Sequence, residues 1–250
     1  MSKKNLAIIP ARMGSTRFPG KPLAQIAGKP MIQRVYERVC LANSLDEIIV
    51  ATDSSEIFTV VENFGAKVVM TSPTCPTGLD RVIEASTSYD EYSHVVNIQG
   101  DEPIIDPATI DGVLSLFKEQ PGCEISTAAI AFQTEIDFKD ENQVKVVFDK
   151  NRKAMYFSRS PIPYNGFSKD AKNSNAFKHL GIYAYTMDIL RKIKHLAPCT
   201  IENMEKLEQL RFLHNGISLY VYEARHDSIG VDTPEDITKV EKLLKEMELN

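Results

Sequence analysis

The chain has no tryptophan and only four cysteines in 250 residues. Cys40, Cys75, Cys123 and Cys199 stand far apart, without the close Cys or His pairs that a zinc site requires. They are expected to be structural thiols in a reducing compartment. No apolar stretch approaches the length of a membrane span. Met1-Ser2-Lys3-Lys4-Asn5 is followed by an apolar run of about five residues, too short for a signal-peptide core. The expectation is a cytoplasmic protein that does not engage a membrane. Excess positive charge is also missing. The formal net charge is −5 and the isoelectric point about 5.6, which argues against general nucleic-acid binding. A local cationic pocket remains compatible with that balance. The hydrophobic and charged fractions, 43% and 25%, are ordinary for a globular chain long enough to bury one good core.

Two common phosphate signatures are absent as well. There is no Gly-x-Gly-x-x-Gly and no Gly-x-x-x-x-Gly-Lys-Ser/Thr. What stands near the N-terminus is a different loop, Ala11-Arg12-Met13-Gly14-Ser15-Thr16-Arg17-Phe18-Pro19-Gly20-Lys21-Pro22, directly after the apolar run Leu6–Pro10. Small residues let backbone N–H groups approach an anion, and Arg12, Arg17 and Lys21 can neutralise it. The loop therefore suits a polyphosphate. Taken alone, it is equally compatible with a basic surface turn.

The first half alternates strand and helix patterns. Strands are expected at Leu6–Pro10, Glu47–Ala51, Lys67–Met70 and His94–Ile98. Helices are expected from Pro30 to about Leu41, from a Ser54 or Ser55 cap to Phe64, from Gly78 to about Tyr89, and from Pro107 to about Glu119. That rhythm implies an α/β fold whose mostly parallel sheet is covered on both faces. Ligands in such sheets bind beyond the carboxyl ends of the strands. The basic loop lies at that end of strand one, and Gln99-Gly100-Asp101-Glu102-Pro103 at that end of strand four. The second half is less regular. Ile125–Phe132, Val144–Phe148, Ala154–Phe157, Leu180–Tyr185 and Ser218–Tyr222 pattern as strands, some antiparallel. Helices are expected at Met187–His195, Ile201–Leu213 and Pro234–Met247. A polar connection covers 158–178. The expectation is a single domain over 1–250 with a smaller, partly antiparallel sheet at roughly 125–185 embedded in it.

Asp101 follows a buried strand and a glycine, and Asp232 precedes a helix that Pro234 opens. Each has an ordinary explanation, a turn former and a helix cap. Beside a polyphosphate loop, both carboxylates suit magnesium, which takes one or two protein carboxylates together with phosphate oxygens.

These stretches, with Val50–Asp53, Val144–Val147, Tyr156–Pro161, His179–Tyr185, Leu207–Arg211 and Gly230–Asp236, resemble the CMP-Kdo synthetases, formally 3-deoxy-manno-octulosonate cytidylyltransferases. Tyr-Phe-Ser-Arg, His-Leu-Gly-Ile-Tyr and Leu-Glu-Gln-Leu-Arg are the family-specific pieces. The resemblance implies a Rossmann-like nucleotidyltransferase fold and a homodimer with the smaller sheet at its interface. It implies the reaction CTP plus Kdo to CMP-Kdo and pyrophosphate, serving lipopolysaccharide or capsule. It assigns Arg12, Lys21 and Asp101 to catalysis and Asp101 and Asp232 to magnesium. Pro10, Ala11, Arg12, Ser15, Lys21, Thr71, Thr77, Gly78 and Arg81 would hold the nucleotide. Gln99, Arg159, His179, Tyr183, Glu208 and Gln209 would contact the acidic sugar. On pattern alone, His179 could be structural, Tyr183 core, and Glu208 and Gln209 solvated helix residues. One departure stands out. Cys75-Pro76-Thr77-Gly78-Leu79-Asp80-Arg81 places Leu79 where the family pattern has threonine. That change, or the polar loop 164–175, could accompany an altered sugar such as 8-amino-Kdo.

Overall fold

The computed structural model describes residues 3–14, 17–164 and 176–248. In chain order the elements are β1 (Asn5–Ala11), a 3-10 turn (Lys21–Leu23), β2 (Gln25–Ile26), β3 (Lys29–Pro30), α1 (Met31–Val39), β4 (Glu47–Thr52), α2 (Ser55–Asn63), β5 (Lys67–Met70), α3 (Gly78–Ser86), β6 (His94–Asn97) and α4 (Pro107–Glu119). There follow β7 (Ile125–Ala131), α5 (Glu135–Lys139), β8 (Lys145–Phe148), β9 (Ala154–Ser158), β10 (Phe177–Thr186), α6 (Met187–Ile193), α7 (Thr200–Glu205), α8 (Gln209–His214), β11 (Leu219–Glu223) and α9 (Pro234–Glu248). The chain divides into two compact units, residues 1–111 with 227–250, and residues 112–226.

In the first unit β6, β1, β4 and β5 lie side by side and parallel. Leu6, Ala7, Ile8 and Ile9 of β1 are all fully buried, as a central parallel strand demands. Helix α1 buries Met31, Ile32, Val35 and Val39. Pro30 is its N-cap rather than its first helical residue, because it also closes a hairpin with β2. That hairpin turns on Ala27 and Gly28, both at positive φ, 47° and 78°. Two-residue strands carry no usable periodicity, so sequence pattern does not reveal them. Ile26 and Met31 of this corner pack with Ile104, Val231, Val240 and Leu244. Each such side chain contributes about 1.5–3 kcal/mol on burial. This cluster seats α9, and with it the Asp232 turn. Helix α3 stops at Ser86 rather than Tyr89; Tyr89 packs its ring against Tyr92 instead, with centroids 5.9 Å apart.

In the second unit β7 pairs antiparallel with β10 and parallel with β11, while β8 pairs antiparallel with both β10 and β9. β10 is longer than expected and shifts register between Leu180 and Tyr183. The expected helix over 201–213 is two helices. Lys206 adopts a left-handed conformation, φ 56° and ψ 44°, and ends α7. On either side of this break the apolar residues part: Leu207 and Leu210 are buried, whereas Met204 is 76% exposed.

Candidate active site

At the carboxyl ends of β1 and β6 lies a cleft of about 330 Å³ within the first unit. Pro10, Ala11, Arg12 and Gly14 line one wall, with Arg17, Lys21 and Pro22 beyond. Gly78 and Arg81 come from the start of α3, Gln99, Gly100 and Asp101 from the loop after β6, and Asp232 from the turn before α9. Four cations thus face two carboxylates. Gly100 is required here, since a Cβ would stand 2.7 Å from the Pro10 carbonyl oxygen. The loop after β1 is folded back by a hydrogen bond from Gly20 N to Met13 O at 3.2 Å, with Gly20 at φ 71°.

Lys21 follows that glycine and is only 14% exposed at its side chain. Its ammonium donates to Asp101 Oδ2 at 2.6 Å and lies 3.5 Å from Asp232 Oδ1. Arg17 Nη2 reaches the same Asp232 oxygen at 2.9 Å. Arg12 is exposed on the cleft and forms no ion pair among the described residues. The Asp232 turn is built by Asp236, whose Oδ2 accepts from the N–H groups of Asp232 and Thr233 at 3.2 and 3.0 Å. A hydrogen bond from Lys239 and these N–H groups hold the Asp236 carboxyl down at about 2. Val231 N in turn donates to Asp101 O at 2.8 Å, fixing the two carboxylate loops together.

Arg81 is a buried cation, 2% exposed. Its Nη2 donates to Asp53 Oδ2 at 2.7 Å and its Nη1 to Thr71 Oγ1. Thr77 caps α3 reciprocally with Asp80. Thr71 and Thr77 therefore support Arg81 and the helix start, while Gly78 and Arg81 line the cleft. Leu79 is buried, 7% exposed, and belongs to the core of its unit. Ser15 lies outside the described residues, as do residues 165–175 of the polar loop. Gln99 lines the same cleft.

The other residues expected to meet the sugar belong to the second unit. His179 Nε2 lies 2.9 Å from Thr127 Oγ1, and that hydroxyl donates to Ile182 O at 2.7 Å. The hydroxyl has one proton, so Nε2–H is the donor to Thr127 and Nδ1 carries the lone pair. Burial pushes the His179 pKa down to about 3, which keeps the ring neutral. The Tyr183 ring lies against it, tilted by 51° with centroids 5.3 Å apart. Burial and then the Glu208 charge raise the Tyr183 phenol well above its ordinary value, so it stays a donor. Gln209 is buried, 5% exposed, at the start of α8. The corner carrying Glu208 and Gln209 is stapled by Arg211, which grips Glu202 through Nε at 2.9 Å and Nη2 at 2.5 Å.

Asp101 and Asp232 fit magnesium by their chemistry. Two hard carboxylates from separate loops converge on one positive centre, the Lys21 ammonium. Among the described residues, no group of three or more His, Cys, Asp or Glu side chains is clustered for a metal. The remaining ligands would come from phosphate and water, as is usual for this ion. Arg17 was legible in the sequence as a loop cation, though not as a partner of Asp232. Two contributors were passed over: Asp53 was legible only as part of a motif, and Asp236 only as a helix-start residue.

A cytidylyltransferase family model matches residues 6–229. The 3-deoxy-manno-octulosonate cytidylyltransferase of Leptospira biflexa serovar Patoc is 49% identical over 240 residues, 96% of each chain. The 8-amino-3,8-dideoxy-manno-octulosonate cytidylyltransferase of Shewanella baltica is 49% identical over 243 residues, 95% of this chain and 97% of that one. A solved structure of CMP:2-keto-3-deoxy-manno-octonic acid synthetase complexed with CTP superposes with a TM-score of 0.91 at 39% identity, covering 98% of this chain and 100% of that one. Fold, cleft chemistry and similarity along nearly the whole chain agree: it belongs to the cytidylyltransferase family.

Proposed function

We propose that this enzyme activates 3-deoxy-manno-octulosonate, converting CTP and the sugar to CMP-Kdo and pyrophosphate. The observation that carries the reading is the cleft itself, where Arg12, Arg17, Lys21 and Arg81 meet Asp101 and Asp232 at the carboxyl ends of parallel strands. The similarity to the Leptospira enzyme supplies the sugar. The anomeric oxygen attacks the α-phosphorus and loses its proton to solvent. The bond from that phosphorus to the bridging oxygen breaks, and pyrophosphate leaves. Nucleotidyl transfer depends on positioning and on fixed positive charge where the transition state is negative. Arg12 and Lys21 supply that charge against the triphosphate. Pro10, Ala11, Gly78 and Arg81 seat the nucleotide, with Ser15, Thr71 and Thr77 contributing around them. Asp101 and Asp232 would hold magnesium, which neutralises phosphate charge and lowers the hydroxyl pKa when bound.

On the same reading Arg159 takes the sugar carboxylate, for which a guanidinium offers a bidentate geometry. His179 Nδ1 accepts from a sugar hydroxyl, while Tyr183, Glu208, Gln209 and Gln99 complete the polar contacts. A second reading keeps the reaction and changes the acceptor to 8-amino-Kdo; the equal identity to the Shewanella enzyme favours keeping it in view. We further read the protein as a cytoplasmic homodimer that serves lipopolysaccharide or capsule synthesis. In support, no described helix is long and apolar enough to cross a membrane, and Met155 on β9 is 66% exposed, an apolar side chain available for an interface. Mass analysis of the nucleotide product after incubation with CTP, magnesium and each sugar tests the proposal. CMP-Kdo supports it, the amino sugar adduct alone moves the acceptor, and unreacted CTP with both sugars contradicts it.

A further inference from the structure

Lys145, the first residue of β8, is fully enclosed at 0% exposure. No carboxylate pairs with it among the described residues. Its ammonium donates instead to two main-chain carbonyls, Asp140 O at 2.6 Å and Arg159 O at 2.8 Å. Burial lowers its pKa. A buried ammonium is costly to desolvate, and an apolar side chain of the same volume would pack at lower cost. On the other side of the same residue stands Glu205. Its Oε2 accepts from Arg159 N at 2.9 Å and its Oε1 from Ser158 Oγ at 2.7 Å. Opposite charges therefore grip both main-chain polar groups of Arg159. The guanidinium is aimed as well. Nε donates to Glu205 O at 2.9 Å and Nη1 to Glu141 O at 3.1 Å, while Nη2 makes no hydrogen bond among the described residues.

We propose that Lys145 and Glu205 are positioning residues that hold Arg159 with its Nη2 edge presented to the carboxylate of the acidic sugar. This rests on the proposed reading of Arg159 as the group that binds that carboxylate. Neither residue touches the reactants; both act by removing main-chain freedom from the one that does.

The test is steady-state pyrophosphate release with CTP and Kdo varied separately, in Lys145→Met, Glu205→Gln, Arg159→Ala and the Lys145→Met/Arg159→Ala double variant. Lys145→Met is expected to raise the sugar KM about tenfold and leave the CTP KM within about twofold. In the Arg159→Ala background it is expected to add nothing, because the side chain it positions is gone. Glu205→Gln is expected to raise the sugar KM by a smaller factor. It also keeps the proposal testable if Lys145→Met does not fold. Equal rises in both KM values, or full additivity in the double variant, would mean a purely structural role and overturn the inference. A sugar KM raised by Arg159→Ala but by neither Lys145→Met nor Glu205→Gln would overturn it too. A sugar KM untouched by Arg159→Ala would instead remove the reading of Arg159 on which the inference stands.

Discussion

Lys21 Nζ donates to Asp101 Oδ2 at 2.6 Å and lies 3.5 Å from Asp232 Oδ1, so one ammonium ties the loop after β1 to two carboxylates that stand 80 and 211 residues away in sequence. The loop after β1, the loop after β6 and the turn before α9 meet at this point. The account of the reaction depends on that convergence, and the first prediction removes one of its members.

Asp101→Asn keeps the size of the side chain and one carbonyl oxygen but removes the charge. Turnover should fall by about two to three orders of magnitude, the scale on which removing one electrostatic contributor acts. The side chain is partly exposed, so thermal unfolding should stay close to wild type. Near wild-type turnover with magnesium present would remove the metal assignment.

Gly100→Ala should weaken CTP binding, because the new methyl would meet the Pro10 carbonyl oxygen at 2.7 Å and force the ends of β1 and β6 apart. A rise in KM for CTP, with a stability loss of about 1–3 kcal/mol in denaturant titration, is expected from such overpacking. An unchanged KM would show that the strand ends can part without cost to the site.

Asp53→Ala leaves the buried Arg81 guanidinium without its carboxylate partner. Breaking a buried pair by removing one member costs about 3–5 kcal/mol. Asp53 is itself 20% exposed, which places the expected loss toward the lower end. Urea unfolding measures it directly, and the CTP KM should rise in parallel as Arg81 loses its aim.

How much of this was legible beforehand divides along physical lines. The parallel strands announced themselves because Leu6–Ile9 and Ile49–Ala51 are apolar on both faces, and Pro107 and Pro234 marked helix starts. The cleft residues Arg12, Lys21, Gly78, Arg81, Gln99, Asp101 and Asp232 were legible as motif members and do line one cavity. The break at Lys206 was hidden, since a lysine at positive φ carries no sequence signal. The Ala27–Gly28 hairpin was too short to show a period. Asp53, Lys145 and Glu205 act through neighbours brought close only by folding, and no local pattern reports such contacts.

His179 gives a pH prediction. Its folded pKa is about 3, below the ordinary 6.5. Between these values the unfolded chain binds a proton that the folded protein does not. The stability supplied by the neutral ring is complete above pH 6.5 and is lost as pH falls toward 3, by at most about 1.4 kcal/mol per pH unit. Thermal melts from pH 7.5 to 5, a window about this ordinary pKa, should decline in wild type and flatten in His179→Gln. Parallel slopes in the two proteins would show that His179 is accessible to protons when folded.

The central claim is the reaction, and pyrophosphate release tests it most directly. With CTP and magnesium present, release should be rapid with Kdo and absent without a sugar. Release with 8-amino-Kdo alone would keep the cleft and the chemistry but contradict the acceptor. No release with either sugar would contradict the account as a whole.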